Sequence, residues 1–323
     1  MKVQIPDQLK TDVPPTKWGK LLTATPVVMA VVATMLAGLA SSEMTRAQYD
    51  RALAAQQQSK AGDQWSFFQA KRLRGALQRN SLDLLENTTE VHRLTAAALK
   101  NVAEQLPAPA AKTKTELLAV LDSSAGQQAL AFLERGEVPQ PGPAPAPEPA
   151  VKAALDAVES LKPESEVRAL LAKVSDKALG AQLRTAQDRA QALDMATGPV
   201  NQTIDRLDNL LSLQASSAAS GASIGRDFTV ARLRYAALRY ELEARLNQAI
   251  ANLYELQVRK SNISAERHHN RSQRFFFGML AAQLGVIIST LAMAAKQRNL
   301  LWGLAAAAGL LAIAFAIYVY LCV

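Results

Sequence analysis

The residues best suited to chemistry lie in one cluster of aromatic, amide and charged side chains between positions 63 and 72. Trp65, Gln69 and Arg72 follow the i, i+4, i+7 spacing that places side chains on one helix face. Such a surface can bind a small ligand or a nucleobase by stacking, but aromatic residues at helical spacing are more typical of packing. The candidate interaction residues are Asp63, Gln64, Trp65, Phe68, Gln69 and Lys71. We expect them to pack against tyrosines of the C-terminal half, namely Tyr235, Tyr240 and Tyr254.

Other residue patterns give little support for catalysis or for a bound cofactor. His268 and His269 could ligate a metal, but adjacent helical residues point about 100° apart, and no histidine lies four residues from either. A juxtamembrane role suits them better. Cys322 is the only cysteine, which excludes an intrachain disulfide or a cysteine metal cluster. We find no Ser-His-Asp set, P-loop or dinucleotide glycine pattern, so we expect no enzyme activity, no cofactor and no metal.

Three apolar runs flank the region that contains these residues. The runs are 21–40, 275–295 and 300–323, and they contain no Asp, Glu, Lys, Arg or His. A membrane-spanning helix needs about 20 apolar residues, so each run predicts a span and the bilayer is the first partner. The second and third runs are separated only by the short basic loop 296–299, which predicts a hairpin. The expected fold is an all-α membrane protein with one N-terminal span, long antiparallel stalk helices carrying a helical head, and a C-terminal two-span hairpin.

The polar region between the spans is expected to divide at its prolines. After a cytoplasmic tail (1–20) and the first span, we expect an N-terminal stalk helix over 41–106 and a C-terminal stalk helix over 226–274. The head, 107–225, contains a semi-rigid Pro-rich linker at 138–149, which could alternatively be a docking peptide. The helices expected in the head cover 115–135, 151–161, 163–197 and 200–214, with helix boundaries at Pro163, Gly198 and Pro199 and a mobile link at 216–225.

A weak heptad pattern follows the N-terminal stalk. Its apolar residues recur at steps of four or seven and are Leu73, Leu77, Leu84, Val91, Ala98 and Val102. Asn80 and Thr88 occupy intermediate positions that a stable coiled coil would make apolar. The C-terminal stalk shows a stronger amphipathic pattern with charges between its apolar residues.

Both ends of the chain resemble an uncharacterised bacterial family of three-span membrane proteins. The resemblance rests on Asp63-Gln64-Trp65 and Gln69-Ala70-Lys71 after the first span, and on His268-His269 before the second. It covers about the first 90 and last 60 residues, and 90–225 looks like an insertion. The resemblance implies a three-span architecture and a bacterial cytoplasmic membrane, but no chemistry.

The charges near the spans indicate an orientation. Lys2, Lys10, Lys17 and Lys20 precede the first span, which places the N-terminus in the cytoplasm by the positive-inside rule. The loop 296–299 agrees, whereas basic residues of 259–274 oppose this arrangement. Because long segments cross regardless of charge, we expect 41–274 outside the cytoplasm. A cleaved signal peptide ending at Ala40 is the alternative, but the long apolar run favours an uncleaved anchor.

Small residues in the spans predict close helix packing. The candidates are Gly38, Ala281, Gly285, Ser289 and Gly309. The net charge of +8 comes from basic residues interspersed with acids, which argues against nucleic-acid binding. The expected function is therefore a membrane-anchored scaffold or interaction protein that forms homo-oligomers and can hold a membrane or periplasmic protein. An oligomeric channel, or an accessory subunit of a transport complex, is the alternative from a different class.

Overall fold

The computed structural model describes residues 17–105, 111–212, 219–294 and 298–322. Within these ranges all regular structure is helical and no strand occurs, so the all-α fold expected from the sequence is confirmed. In chain order the helices are α1 (Lys17–Thr88), α2 (Ala96–Glu104), α3 (Ala111–Asp122), α4 (Ser124–Arg135), α5 (Pro149–Glu159), α6 (Glu164–Leu171), α7 (Asp176–Ser212), α8 (Ala219–Ala294) and α9 (Arg298–Cys322).

Three of the described helices, α1, α8 and α9, contain stretches long and apolar enough to cross a membrane. Most of the expected tail, 1–16, the last residue of the expected second span, 295, and the first half of the expected loop, 296–297, lie outside the described residues. Arg298 and Asn299 were assigned to the loop but already belong to α9. The described residues form two compact units, a membrane unit (up to Ala55 and from Arg259) and a polar unit (Gln56–Val258).

The membrane unit packs the first part of α1 against the last part of α8 and against α9. Leu36 of α1 lies beside Gly278 of α8, while Met29 lies beside Gly285, so these two helices run antiparallel. The buried core of this unit consists of Met29, Ala33, Leu36, Ala40, Phe275, Ala282, Ala312 and Val319.

In the polar unit, the rest of α1 again runs antiparallel to α8. Helices α2, α3 and α4 form a core with the end of α7 and the start of α8. Its largest fully buried side chains are Leu99, Leu117, Leu121, Leu130, Leu207, Phe228 and Tyr235. Helix α5 packs against α6.

The stalk helix expected over 41–106 ends earlier, at Thr88. Three consecutive side chains there bond to backbone carbonyls of the last turn: Asn87 to Asp83, Thr88 to Leu84 and Thr89 to Leu85. Asn and Thr favour such local bonds over helix propagation. Residues 90–95 then lack helix before α2 begins.

The heptad pattern is therefore divided among three environments. Leu73, Leu77 and Leu84 are exposed on the outer face of α1. Val91 packs against a small cluster of Leu82, Val230 and Leu233, and the pattern's last members, Ala98 and Val102, contact the head core. They do not form one continuous seam.

The single helix expected over 115–135 is two helices, α3 and α4, with a corner at Ser123. The Ser123 hydroxyl accepts a hydrogen bond of 3.0 Å from the Gly126 amide and so caps α4. A Cβ atom on Gly126 would lie 1.8 Å from the carbonyl oxygen of Val120. Only glycine permits this tight corner.

The expected helix boundaries at Gly198 and Pro199 are wrong, because α7 runs through both. A proline inside a helix costs about 3 kcal/mol. The same helix buries Leu193, Val200 and Ile204 around this point, and we attribute its continuity to that packing. The helix expected from 163 is instead α6 followed by a break before Asp176.

Two connecting segments can also be compared with what the sequence predicts for them. Part of the mobile link expected at 216–225 is helical, since α8 begins at Ala219, while 216–218 lie outside the described residues. The Pro-rich segment 138–148 has no helix. Its Val138 and Pro141 are buried, whereas 142–146 are exposed.

Candidate functional site

The candidate site is the charged interface between α1 and α8 in the polar unit. Small residues bring the two backbones together, because Gly75 of α1 faces α8. A Cβ atom on Gly75 would lie 3.4 Å from the Cβ of Tyr240 and 3.7 Å from the carbonyl oxygen of Ala237. Ala61, Ala244 and Ala251 are also buried. The close approach lets polar side chains of the two helices pair across the interface.

Glu243 of α8 is the most deeply buried carboxylate of this interface, with its side chain 5% exposed. Its Oε2 pairs with Nζ of Lys71 from α1, and its Oε1 lies 2.9 Å from Nη1 of Arg239 one turn earlier. Lys71 Nζ and Arg239 Cζ also lie 5.5 and 4.3 Å from the centre of the Tyr240 ring. Two cations thus compensate the buried negative charge of Glu243, and the Tyr240 ring in turn stabilises the two cations.

Glu241 has a similar arrangement nearer the surface. It pairs with Arg79 of α1 and, at 2.5 Å, with Arg245 of its own helix. Partial burial would raise the pKa of this carboxyl, but the hydrogen bonds and charges of the two arginines outweigh it and lower the pKa. A further pair joins Arg234 of α8 to Glu86 of α1 at 2.6 Å.

The aromatic part of the sequence cluster also contacts α8. Trp65 donates its indole hydrogen bond to Glu255 Oε1 at 2.7 Å, and its ring meets Phe68 edge-on at 5.4 Å. The tyrosines expected to face this cluster have different partners. Tyr240 lies beside Lys71 of the cluster, whereas Tyr254 accepts a hydrogen bond from Gln187 of α7 at 2.9 Å.

Tyr235 lies instead in the head core, and burial raises the pKa of its phenol to about 12, the charges of Arg239 and Glu243 acting in opposite senses. Its hydroxyl has no hydrogen-bond partner among the described residues.

The other members of the cluster occupy two sides of α1. Gln64 and Lys71 line a cavity of about 280 Å³ with Asp194 of α7 and Glu243 of α8. Asp63 and Gln69 are exposed on α1. The cluster is therefore not one continuous surface: part of it packs between helices and part faces outward.

The small residues of the spans meet one methionine. A Cβ atom on Gly285 would lie 2.4 Å from Met29 Cε, and one on Gly309 would lie 2.6 Å from Met29 Sδ. Ser289 is fully buried and Ala281 is partly buried against the same core. Gly38 differs from expectation, because it is exposed and nothing lies within 4 Å of its Cβ position.

Sequence reasoning missed a polar contact of the membrane unit. Nδ1 of His268 lies 2.5 Å from Oε2 of Glu43, and the Ser272 hydroxyl donates a 2.7 Å hydrogen bond to the carbonyl oxygen of Ala40. The available signal was the first acid after one span and the histidines before another. Within the described residues, no group of three or more His, Cys, Asp or Glu side chains could hold a metal ion.

Residues 18–131 match a protein family described as a domain of unknown function, DUF4337. The match covers less than half of the chain and contains the 63–72 cluster. It continues past residue 90, where the sequence analysis expected an insertion to begin, so that boundary is wrong. No curated protein matches the chain. No solved structure matches it either.

Proposed function

We propose that this protein is a membrane-anchored helical scaffold that self-associates through the outer face of α1. The observation that carries the proposal is the exposure of Leu73, Leu77 and Leu84, which are 54 to 64% exposed although they share one helical stripe. Single exposed leucines are ordinary, but several exposed leucines along one helix face are a feature of interaction surfaces. The opposite face of α1 is occupied by α8.

A second copy of the chain is the partner that best fits this stripe. Its positions follow the 3-4 spacing of a coiled-coil seam and carry no charge: Ser66, Ala70, Leu73, Leu77, Asn80 and Leu84. Neighbouring exposed positions of α1 are charged, including Arg74 and Asp83. An asparagine within such a seam is a known determinant of register and oligomer state. An identical helix supplies the same spacing.

We also propose the cellular location and the partners that were inferred from the sequence. The bilayer anchors the chain, the N-terminus lies in the cytoplasm of a bacterial cell, and 41–274 lie outside the cytoplasmic membrane. A membrane or periplasmic protein is the second class of partner. Four lysines before the first span support this orientation.

Lysine substitutions in the stripe test self-association directly. Leu77→Lys combined with Leu84→Lys places two charges in the seam, and we expect the mass of the protein in mild detergent to fall to that of a monomer. Met195→Lys is the matched control, since Met195 is an exposed hydrophobic residue on α7 outside the stripe. A monomeric wild-type protein, or an oligomer unaffected by the double substitution, would refute the proposal.

Protease accessibility tests the orientation. A protease added to right-side-out membrane vesicles should cleave within the exposed part of the Pro-rich segment, 142–146. Cleavage confined to inverted vesicles would show that the polar unit lies in the cytoplasm.

A further inference from the structure

A second candidate site lies in the membrane unit, where α1 and α8 leave their apolar stretches. A cavity of about 540 Å³ opens between the two helices. Ala37, Phe276 and Phe277 line it on the side of the apolar runs, while Ser41 and His269 line it on the polar side. The cavity thus changes from apolar to polar along the helix axes, as an amphipathic ligand requires.

The polar side of this cavity contains an unused hydrogen-bond donor. The Gln273 amide nitrogen lies 3.0 Å from Nε2 of His269, and an amide N–H donating there leaves the ring proton on Nδ1. That Nδ1 is buried and has no hydrogen-bond partner within the described residues. A buried donor without an acceptor costs free energy, so an acceptor oxygen from a ligand would stabilise this arrangement.

The surrounding charge favours an anion. The segment 267–274 of α8 carries Arg267, Arg271 and Arg274 and no acid. The nearest acid of α1, Glu43, is already paired with His268 at 2.5 Å and with Arg46 at 3.5 Å. Glu266 directly precedes this segment, but with Arg46 included the basic residues still outnumber the acids here. Clusters of basic residues beside spans attract anionic lipids.

We propose that this cavity binds an anionic glycerophospholipid, with one phosphate oxygen accepting from His269 Nδ1 and an acyl chain lying along Phe276 and Phe277. The volume is within the range of small-molecule sites. This site is separate from the outer face of α1, and the proposal does not depend on self-association.

Lipid binding by the full-length protein in detergent tests the assignment. Native mass spectrometry should detect saturable binding of phosphatidylglycerol and weaker binding of phosphatidylcholine. His269→Phe keeps the ring volume but removes the donor, and should weaken phosphatidylglycerol binding by about tenfold or more, as for a lost hydrogen bond to a charged group. Asn270→Ala, at the neighbouring exposed position, is the control and should bind as the wild type does.

Several results would overturn the proposal. They are equal binding of the two lipids, an unchanged affinity in His269→Phe, or binding of inorganic phosphate as tight as that of the lipid. If His269→Phe lowers the melting temperature, Gln273→Leu is the second variant, because Gln273 is exposed but fixes the histidine tautomer. Wild-type affinity in a folded Gln273→Leu protein would also count against the site.

Discussion

Glu243 and Glu241 form a matched pair that separates the effect of burial from that of charge pairing. Each carboxylate pairs with one cation from α1 and one from its own helix. Their side chains differ in exposure, 5% for Glu243 and 36% for Glu241. We therefore expect the alanine variants of the two residues to differ strongly in stability although they remove the same number of ion pairs.

The magnitudes follow from the environment of the cations that remain. Removing one partner of a buried pair costs about 3–5 kcal/mol, because the other charges stay desolvated. Lys71 and Arg239 are partly exposed and can regain some hydration, so Glu243→Ala should cost about 3 kcal/mol. Arg79 and Arg245 are largely exposed, and surface pairs contribute up to about 1 kcal/mol, so Glu241→Ala should cost about 1 kcal/mol or less.

Thermal melting of the detergent-solubilised protein, followed by circular dichroism, measures this difference. At about 1 M salt the small Glu241→Ala effect should shrink further, since exposed charges are screened, while the Glu243→Ala effect should persist. Equal losses of stability in the two variants, or loss of both effects in high salt, would refute the argument from burial.

Three further predictions concern other parts of the molecule. Tyr235 should titrate with a pKa of about 12. Because the phenol ionises at lower pH in the unfolded chain, the contribution of Tyr235 to stability is present below pH 10 and is lost as the pH rises through about 12. Tyr235→Phe should therefore reduce the loss of stability measured in alkaline melts. Gly75→Ala should raise the free energy of unfolding by about 0.5–1 kcal/mol, since its Cβ would meet Tyr240 at an ordinary 3.4 Å, whereas Gly75→Leu should lower it; the opposite ranking in melting would contradict the close approach. Liposomes containing the protein should show no more ion flux than empty ones, since the apolar runs carry no charged residue; a conductance abolished by Gln283→Leu would instead support a channel.

The sequence was sufficient to predict the helical fold and the membrane-spanning stretches, because both depend on composition along the chain. The pairing of the helices was harder to predict. On α1 the heptad pattern of the sequence selects the face that carries Leu73, Leu77 and Leu84, but the face in contact with α8 contains Ala61 and Gly75, whose small size permits close contact. Hydrophobicity alone therefore does not identify the face of α1 that packs against α8.

The polar contacts of the candidate site depend on residues far apart in the chain. Trp65 and Lys71 stood out in the sequence, but their partners Glu255 and Glu243 are ordinary acids on an amphipathic helix. Only the register between α1 and α8 identifies them. The passage of α7 through Pro199 was missed for a related reason, since the local cost of proline is evident in a sequence and the compensating tertiary packing is not.

The position of Met29 beside Gly285 and Gly309 has a consequence for how the spans can move. One side chain of α1 occupies the space that two glycines leave on two different helices. Sliding α1 by one turn, about 5.4 Å, would carry the methionine out of both glycine positions at once and bring it against larger neighbours. The methionine therefore fixes the register of α1 against α8 and α9, and α1 can slide along them only if this side chain first leaves the two glycine positions.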